Sequence, residues 1–439
     1  MRVHSRLLTV VTVLAASLAL LGAGPSPAAV AATAPDGWGG ALGDAGNSST
    51  NLREQVLTGS AAARAARAWT AAAPYYSLAA DAAVVRAGVA YWLGGDRLLI
   101  ATSVRTGATV WTKVLPVGKS YTSGTAISGS RLVLAYYGQS KPGGGLLTID
   151  VTTRKILWQR PLPAERNDPT GDTRAGRPYI DGSRVFVTGS SNQINAYRLT
   201  DGRPVWRVPF RDNPNGSLAR LDGIAAGSGI VVTSGQAGVQ AYRGSDGKRL
   251  WHSPAATAGL PVIAAGRVFV ADGNATAAQA FTLAGCGRST CAPLWTTGSY
   301  YPHTLGPVVV STADAASVTL TYQTRDNPPD ACDNRRQGRI DRLSATTGVT
   351  ERSISSGLSV ARPVRGGDTI WVYSEYVTGT CEVAPRIQAF TATGATTTPL
   401  TTLDPAPRQG FLDGLAVAGG TLLIQDRLDP LIGYRIPGT

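Results

Sequence analysis

The sequence predicts an all-β protein, an eight-bladed β-propeller of four-stranded antiparallel blades, with seven blades as the alternative count. Three observations carry this. A phrase of alternating apolar residues, a small polar pair usually ending in Gly, and a Trp four residues on recurs along the 439-residue chain. A second hairpin signal precedes each copy. The intervals between Trp-equivalent positions, 42, 47, 48, 45, 44, 57 and 46 residues, have the length of one propeller blade.

Taken in order, the copies pair Thr106-Gly107 with Trp111, Thr153-Arg154 with Trp158, Asp201-Gly202 with Trp206, and Asp246-Gly247 with Trp251. A fifth is interrupted around Cys286 and Cys291 and regains Trp295. Two later copies keep Thr347-Gly348 and Thr393-Gly394 but carry Arg352 and Thr398 where Trp is expected. Asp-Gly and Thr-Gly supply the positive φ of a tight turn, and flanks such as Ile194 to Tyr197 and Pro204 to Trp206 alternate at strand period. Upstream hairpins turn at Ala87-Gly88, Ser128 to Ser130, Asp181 to Ser183, Gly227 to Gly229, Ala265-Gly266, Gly366-Gly367 and Gly419-Gly420. The seven-bladed alternative arises if the divergent region 302–357 pairs irregularly.

The ends of the chain complement each other. Trp69 has no complete blade before it, and Leu415 to Ile436 supplies only three strands. Joining them completes an eighth blade and removes the exposed edges of an open sheet.

Ahead of the repeats, Arg2 and Arg6, the apolar run Leu7 to Leu21 and Ala29-Val30-Ala31 have the form of a signal peptide over residues 1–31. The expectation is an exported, secreted bacterial protein without a transmembrane segment after cleavage. A leader follows over 32–58 and the propeller over 59–439.

The formal charge of +13 falls to +11 without Arg2 and Arg6, and 43% of residues are hydrophobic. This composition excludes a disordered chain, a coiled coil and a fibre. The basic residues are 36 Arg and five Lys, dispersed along the chain, with Arg335, Arg336 and Arg339 the nearest approach to a cluster. No nucleic-acid partner is expected; weak attraction to an anionic envelope is.

The phrase Val239-Gln240-Ala241-Tyr242 followed by Ser245 to Trp251 resembles the repeat of the pyrroloquinoline-quinone-like (PQQ-like) propeller family, quinoprotein-like and BamB-like. The leader from Gly37-Trp38-Gly39-Gly40 through Asp44-Ala45-Gly46 to Asn51 is similar to the segment before the first blade of quinoprotein dehydrogenases. In that family the repeat Trp docks each blade on its neighbour. The resemblance thus implies a docking role for Trp69, Trp111, Trp158, Trp206, Trp251 and Trp295. A quinone enzyme of this kind would also need adjacent cysteines, calcium ligands and an Asp base. No two of the four Cys are adjacent, so no cofactor and no metal is expected.

His-dependent catalysis is not expected either, because His252 and His303 stand in no metal-binding or nucleophile pattern. The cysteines read as two bridges of an oxidising compartment, Cys286 with Cys291 and Cys332 with Cys381. Ligand candidates come from the loops that lead from one blade to the next: Tyr75, Tyr76, Tyr121, Arg166, Asp168, Phe210 to Asp212, Tyr300, Tyr301 and Arg408 to Phe411. The structural alternative is that these aromatics cover strand ends. Two near-identical phrases four blades apart place Asp222 and Asp413 across the channel, as a cation site or as repeated turn chemistry. Asp326, Asp330 and Asp333 lack the spacing of a calcium loop.

The expected function is a monomeric, non-enzymatic scaffold that recognises a protein or cell-envelope polymer. A PQQ- and calcium-dependent oxidoreductase acting on alcohols or sugars is the alternative.

Overall fold

The computed structural model describes residues 37–438 apart from 72–81, 96, 122–123, 139–142, 164–174, 190–191, 211–219, 301–307, 325–336, 358, 361–362, 378–382, 394–396, 404–411 and 427–429. Turn glycines and alternating apolar residues divide the described chain into eight antiparallel sheets arranged as a ring. The fold is therefore the eight-bladed propeller. In blade 1 the strands are Val84–Arg86, Val89–Leu93, Leu98–Ser103 and Thr109–Val114, from the channel outward. Blades 2 to 5 begin on Thr125–Ser128, Tyr179–Asp181, Leu221–Gly227 and Thr257–Ala264. The divergent region makes a regular blade 6, with Val309–Ala313, Ser317–Thr324, Gln337–Ser344 and Thr350–Ser355. This is why the count is eight. Blade 7 begins on Val364–Gly366, and blade 8 on Leu412–Ala418.

Blade 8 closes the ring. Its first three strands, Leu412–Ala418, Thr421–Asp426 and Ile432–Arg435, are completed by Ala66–Thr70 from the other end of the chain. Trp69 lies opposite Gly433 in that pairing. Gly433 leaves the room, since a Cβ there would strike the Trp69 ring.

Apolar side chains of each blade meet those of the next. Leu134, Leu147 and Ile149 of blade 2 pack with Leu99 and Trp111 of blade 1, for example. At the outer end of these seams the Trp residues act as donors. Nε1 of Trp69, Trp158, Trp206, Trp251 and Trp295 donates to the carbonyls of Val104, Leu199, Gly244, Leu283 and Ala345, all in the following blade, at 2.8 to 3.1 Å. Each ring lies over a turn of that blade. A Cβ on Gly107, Gly202, Gly247 or Gly348 would come within 2.6 to 2.8 Å of it, so glycine is there for close approach as well as for its positive φ.

Three seams depart from this pattern, one of them at Thr398, which stands where Trp is expected. Arg154 holds the glycine position at φ +60° and lays its guanidinium 5.9 Å from the Trp111 ring centroid. Arg352 holds a Trp position and donates Nη1 to the Thr391 carbonyl at 2.6 Å.

The insertion in blade 5 has an architectural role. Cys286 and Cys291 form a disulfide, and the loop between them reaches back to blade 4. His252 N donates to Ser289 O, and Cys291 N donates to His252 O. The loop thereby covers part of the outer edge of Arg249–Ser253, an edge that would otherwise offer unpaired backbone groups.

Candidate functional site

The two faces of the ring are built differently. On one face, tight turns join first to second and third to fourth strands. The other face gathers the connections between blades and those between second and third strands, and here the channel mouth was expected to recognise a partner.

The turn face carries a strap formed by the described part of the leader, from residue 37 onward. Trp38 is fully buried, and its N–H and carbonyl pair with Val85 of blade 1 at 2.9 and 2.8 Å. Ile127 N of blade 2 donates to Gly39 O. Ala226 N of blade 4 donates to Ala45 O, and Ile263 N of blade 5 to Gly46 O, both at 2.7 Å. Asn47 ties these two blades, because its Nδ2 donates to the Ile224 and Pro261 carbonyls at 2.9 Å. Ala313 N of blade 6 reaches Ser48 O and Arg365 N of blade 7 reaches Ser49 O. Thr50–Asn51 then runs parallel to blade 7, and Asn51 Nδ2 donates to Val417 O of blade 8. Glu54 ends the circuit, accepting from Gly420 N with one oxygen and from Val56 N and Leu57 N with the other.

Seven inner strands are thus held by one segment. Asn47 sits at φ +60°, a conformation that Asn tolerates, and this lets its amide lie between two blades. Asp44 braces the turn ahead of it by accepting from Ser48 N and Ser48 Oγ at 3.0 and 2.8 Å. Burial pushes the Asp44 carboxyl above its ordinary pKa, against the lowering effect of the Ser48 bonds.

On the loop face, the described candidates are packed beneath the mouth. Tyr121 is 1% exposed, lies 5.8 Å from the Tyr136 ring, and has a hydroxyl without a hydrogen-bond partner among the described residues. Phe210 is fully buried against Ala237. The Tyr300 ring lies 4.7 Å from that of Tyr322 at a tilt of 44°, and the Tyr322 hydroxyl donates to the buried Asp341 at 2.8 Å. Burial, with the Asp341 carboxylate beside it, pushes Tyr300 up to about 12. Tyr121 and Phe210 are thus packed inside, and Tyr300 is half-buried.

Asp222 sits in a bulge between Leu221 and Gly223 and pairs with the exposed Arg220 at 2.7 Å. The backbone of Asp413 lies in the same bulge, between Leu412 and Gly414. A Cβ on either glycine would collide with the next blade, at Leu260 or Ala82. The repeated Asp-Gly phrase is therefore a device that brings inner strands together. Tyr75, Tyr76, Arg166, Asp168, Tyr301, His303, Cys332, Cys381, Asp326, Asp330, Asp333 and the Asp413 side chain lie outside the described residues, as do residues 1–31.

The Cys286–Cys291 bridge is at the outer edge of the ring, and no three His, Cys, Asp or Glu come together among the described residues. No helix among them is long and apolar enough to cross a membrane.

The polar strap residues Asn47, Asn51 and Glu54 were missed as functional positions by sequence reasoning. Their signal is a set of polar side chains in a segment too short to have a core of its own.

Comparison with known proteins agrees with the geometry. A family model described as outer membrane protein assembly factor BamB matches residues 37–194 and 166–372. The outer membrane protein assembly factor BamB of Burkholderia pseudomallei is 28% identical over 125 residues, which cover 26% of this chain and 31% of that protein. The chain therefore matches about a third of that relative's length. Among solved structures, BamB from Moraxella catarrhalis superposes with a TM-score of 0.54 at 16% identity, covering 80% of this chain and 94% of the other. A quinohemoprotein alcohol dehydrogenase from Pseudomonas putida gives 0.60 at 11% identity, covering 92% and 81%. These two structures share the fold.

Proposed function

We propose that this chain, which belongs to the family of the outer membrane protein assembly factor BamB, is an exported, non-enzymatic scaffold that holds a protein partner on its loop face. The strap carries the reading. It closes the turn-face end of the channel by hydrogen bonds to seven inner strands, so a partner meets a rigid ring from the opposite side. A rigid ring that presents variable loops suits recognition, because little conformational freedom is lost on binding. A cell-envelope polymer is the second ligand class that would use the same rim.

Arg220 is the described loop-face residue best placed for a test, with a side chain 65% exposed beside the channel mouth. Cross-linking of purified protein to envelope extract should yield a discrete adduct, and Arg220→Gln should weaken it with at most a small change in thermal stability, since an exposed ion pair contributes little. A polymer partner would instead appear as an adduct resistant to protease and sensitive to glycan hydrolases. In parallel, PQQ with calcium is added and dye reduction is followed with simple alcohols and sugars. Cofactor-dependent turnover would replace the scaffold reading by the oxidoreductase one.

A further inference from the structure

Among the described residues, the strap bonds to every inner strand except that of blade 3. It leaves blade 2 at Gly39 and rejoins the ring at Ala45 of the strap on blade 4. Between these points it folds on itself, with Gly39 N and Gly40 N donating to Gly43 O and Gly43 N donating to Gly40 O. This small loop spends its polar groups internally and makes no backbone hydrogen bond to blade 3 among the described residues. A cavity of about 480 Å³ opens on the turn face, lined by the strap, by six consecutive residues of blade 3 from Arg177 to Gly182, and by the inner-strand ends of blades 1, 2, 4, 5 and 6. Its volume falls in the range of about 300 to 1,000 Å³ usual for small-molecule sites.

The charges around it are unequally satisfied. Three acids line the cavity: Asp44, Asp181 and Asp314. Asp314 is paired with the half-buried Arg365 and also accepts from Ala316 N and Ser317 N. Asp44 turns both oxygens to Ser48. Asp181 accepts from Gly229 N at 2.7 Å. Three arginines line it as well: Arg53, Arg86 and Arg177. No hydrogen bond or ion pair engages the Arg53 and Arg86 guanidinium groups among the described residues. Arg86 ends the inner strand of blade 1 and is half-buried, whereas Arg53 is exposed at the rim. The acids are committed to holding the fold, and these two cations are free to meet a ligand.

We propose that this cavity binds a small soluble phosphate ester, with Arg86 and Arg53 gripping the phosphate and the strap and blade 3 enclosing the organic part. A guanidinium presents paired N–H donors that match phosphate oxygens, and the partly enclosed setting strengthens the pair relative to open water. The glycine-rich floor, which carries no side chains, admits the body of the ligand close to the backbone. This site lies on the face opposite the partner-binding rim, so each proposal stands or falls by itself.

Isothermal titration calorimetry with glucose 6-phosphate, inorganic phosphate and glucose at low salt tests it. Glucose 6-phosphate should bind saturably at one site, inorganic phosphate more weakly, and glucose not at all. The Arg53→Gln/Arg86→Gln variant should bind about tenfold or more weakly, as expected for lost charge-assisted hydrogen bonds, while melting like the parent. Arg86→Lys should retain part of the affinity, since it keeps the charge and loses the fork. Should the double variant fail to fold, Arg53→Gln alone, a change at an exposed side chain, should still weaken binding about threefold. The absence of saturable binding, equal affinity for glucose, or affinity unchanged by the arginine substitutions would each overturn the proposal.

Discussion

Five seams of the ring close on a tryptophan whose N–H bonds to the next blade, and the seam between blades 6 and 7 closes on Arg352. Both kinds of side chain reach the same place, a carbonyl just ahead of the next blade's outer turn. They differ in what accompanies that bond. Trp251 is 1% exposed, stacks on Phe281 at 5.8 Å, and has its single N–H satisfied. Arg352 brings three nitrogens to a space made for one donor. Its Nε and Nη2 are buried without a hydrogen-bond partner among the described residues, and burial pulls its pKa down. The hydrogen bond thus sets the position of the docking side chain, while planar apolar area makes the position stabilising.

The largest expected effect comes from removing a seam altogether. Deleting residues 62–70 takes away the outer strand of blade 8 together with Trp69 and leaves Ile432–Arg435 as an open edge. The protein should aggregate or lose its cooperative melt, as read by scanning calorimetry and light scattering. A truncated chain that melted like its parent would show that closure contributes nothing.

Next comes the comparison of the two docking chemistries. Trp251→Ala should lower stability by about 3 to 5 kcal/mol, the usual cost of deleting a buried large aromatic. Arg352→Trp should raise it by about 1 kcal/mol, because two unpartnered buried nitrogens disappear and the donor to Thr391 remains. Chemical denaturation of both variants measures the pair, and loss of stability in Arg352→Trp would mean that blade 7 has reshaped the seam around the guanidinium.

The receiving turn can be tested from the other side. In Gly348→Ala the new Cβ would sit 2.6 Å from the Trp295 ring at φ +72°, so about 1 to 3 kcal/mol should be lost. Arg154→Gly at the equivalent turn should change stability by less than about 1 kcal/mol, since relief of the positive φ offsets the lost contact with Trp111.

The smallest effect concerns the turn that holds Arg154. The Asp150 carboxylate accepts from Ser130 Oγ, Thr153 N and Thr152 N, which hold its pKa at about 2 against an ordinary 3.8. A carboxyl with a depressed folded pKa adds stability above its unfolded value, and that stability is lost as pH falls from about 4 to about 2. Asp150→Asn should flatten the acid limb of stability against pH in that window, and only slightly, because the group is solvent-exposed and screened. An unchanged acid limb would remove Asp150 from the account of this turn.

The blade count, the ring closure and the Trp register were legible because each repeats a local rule, a turn glycine with flanking strands of period two, and repetition made the rule visible. The loop-face aromatics were legible as residues but not as roles. Tyr121 and Phe210 look like a recognition surface until burial shows them packed beneath it. The twin Asp-Gly phrases likewise pointed to each other in sequence, whereas in space each glycine faces its own neighbouring blade.

What the amino-acid sequence by itself determined is the blade: alternation, turn chemistry and a Trp at one register, all set within about 45 residues. Tertiary structure alone decided what happens between blades and across the axis. Asn47 meets Ile224 and Pro261, Asn51 meets Val417, and Arg365 meets Asp314, at separations from 51 to 366 residues. No local pattern encodes such contacts. They exist because closing the ring brings eight inner strands to one axis, where polar backbone left unpaired would be costly and a single strap can satisfy seven of them.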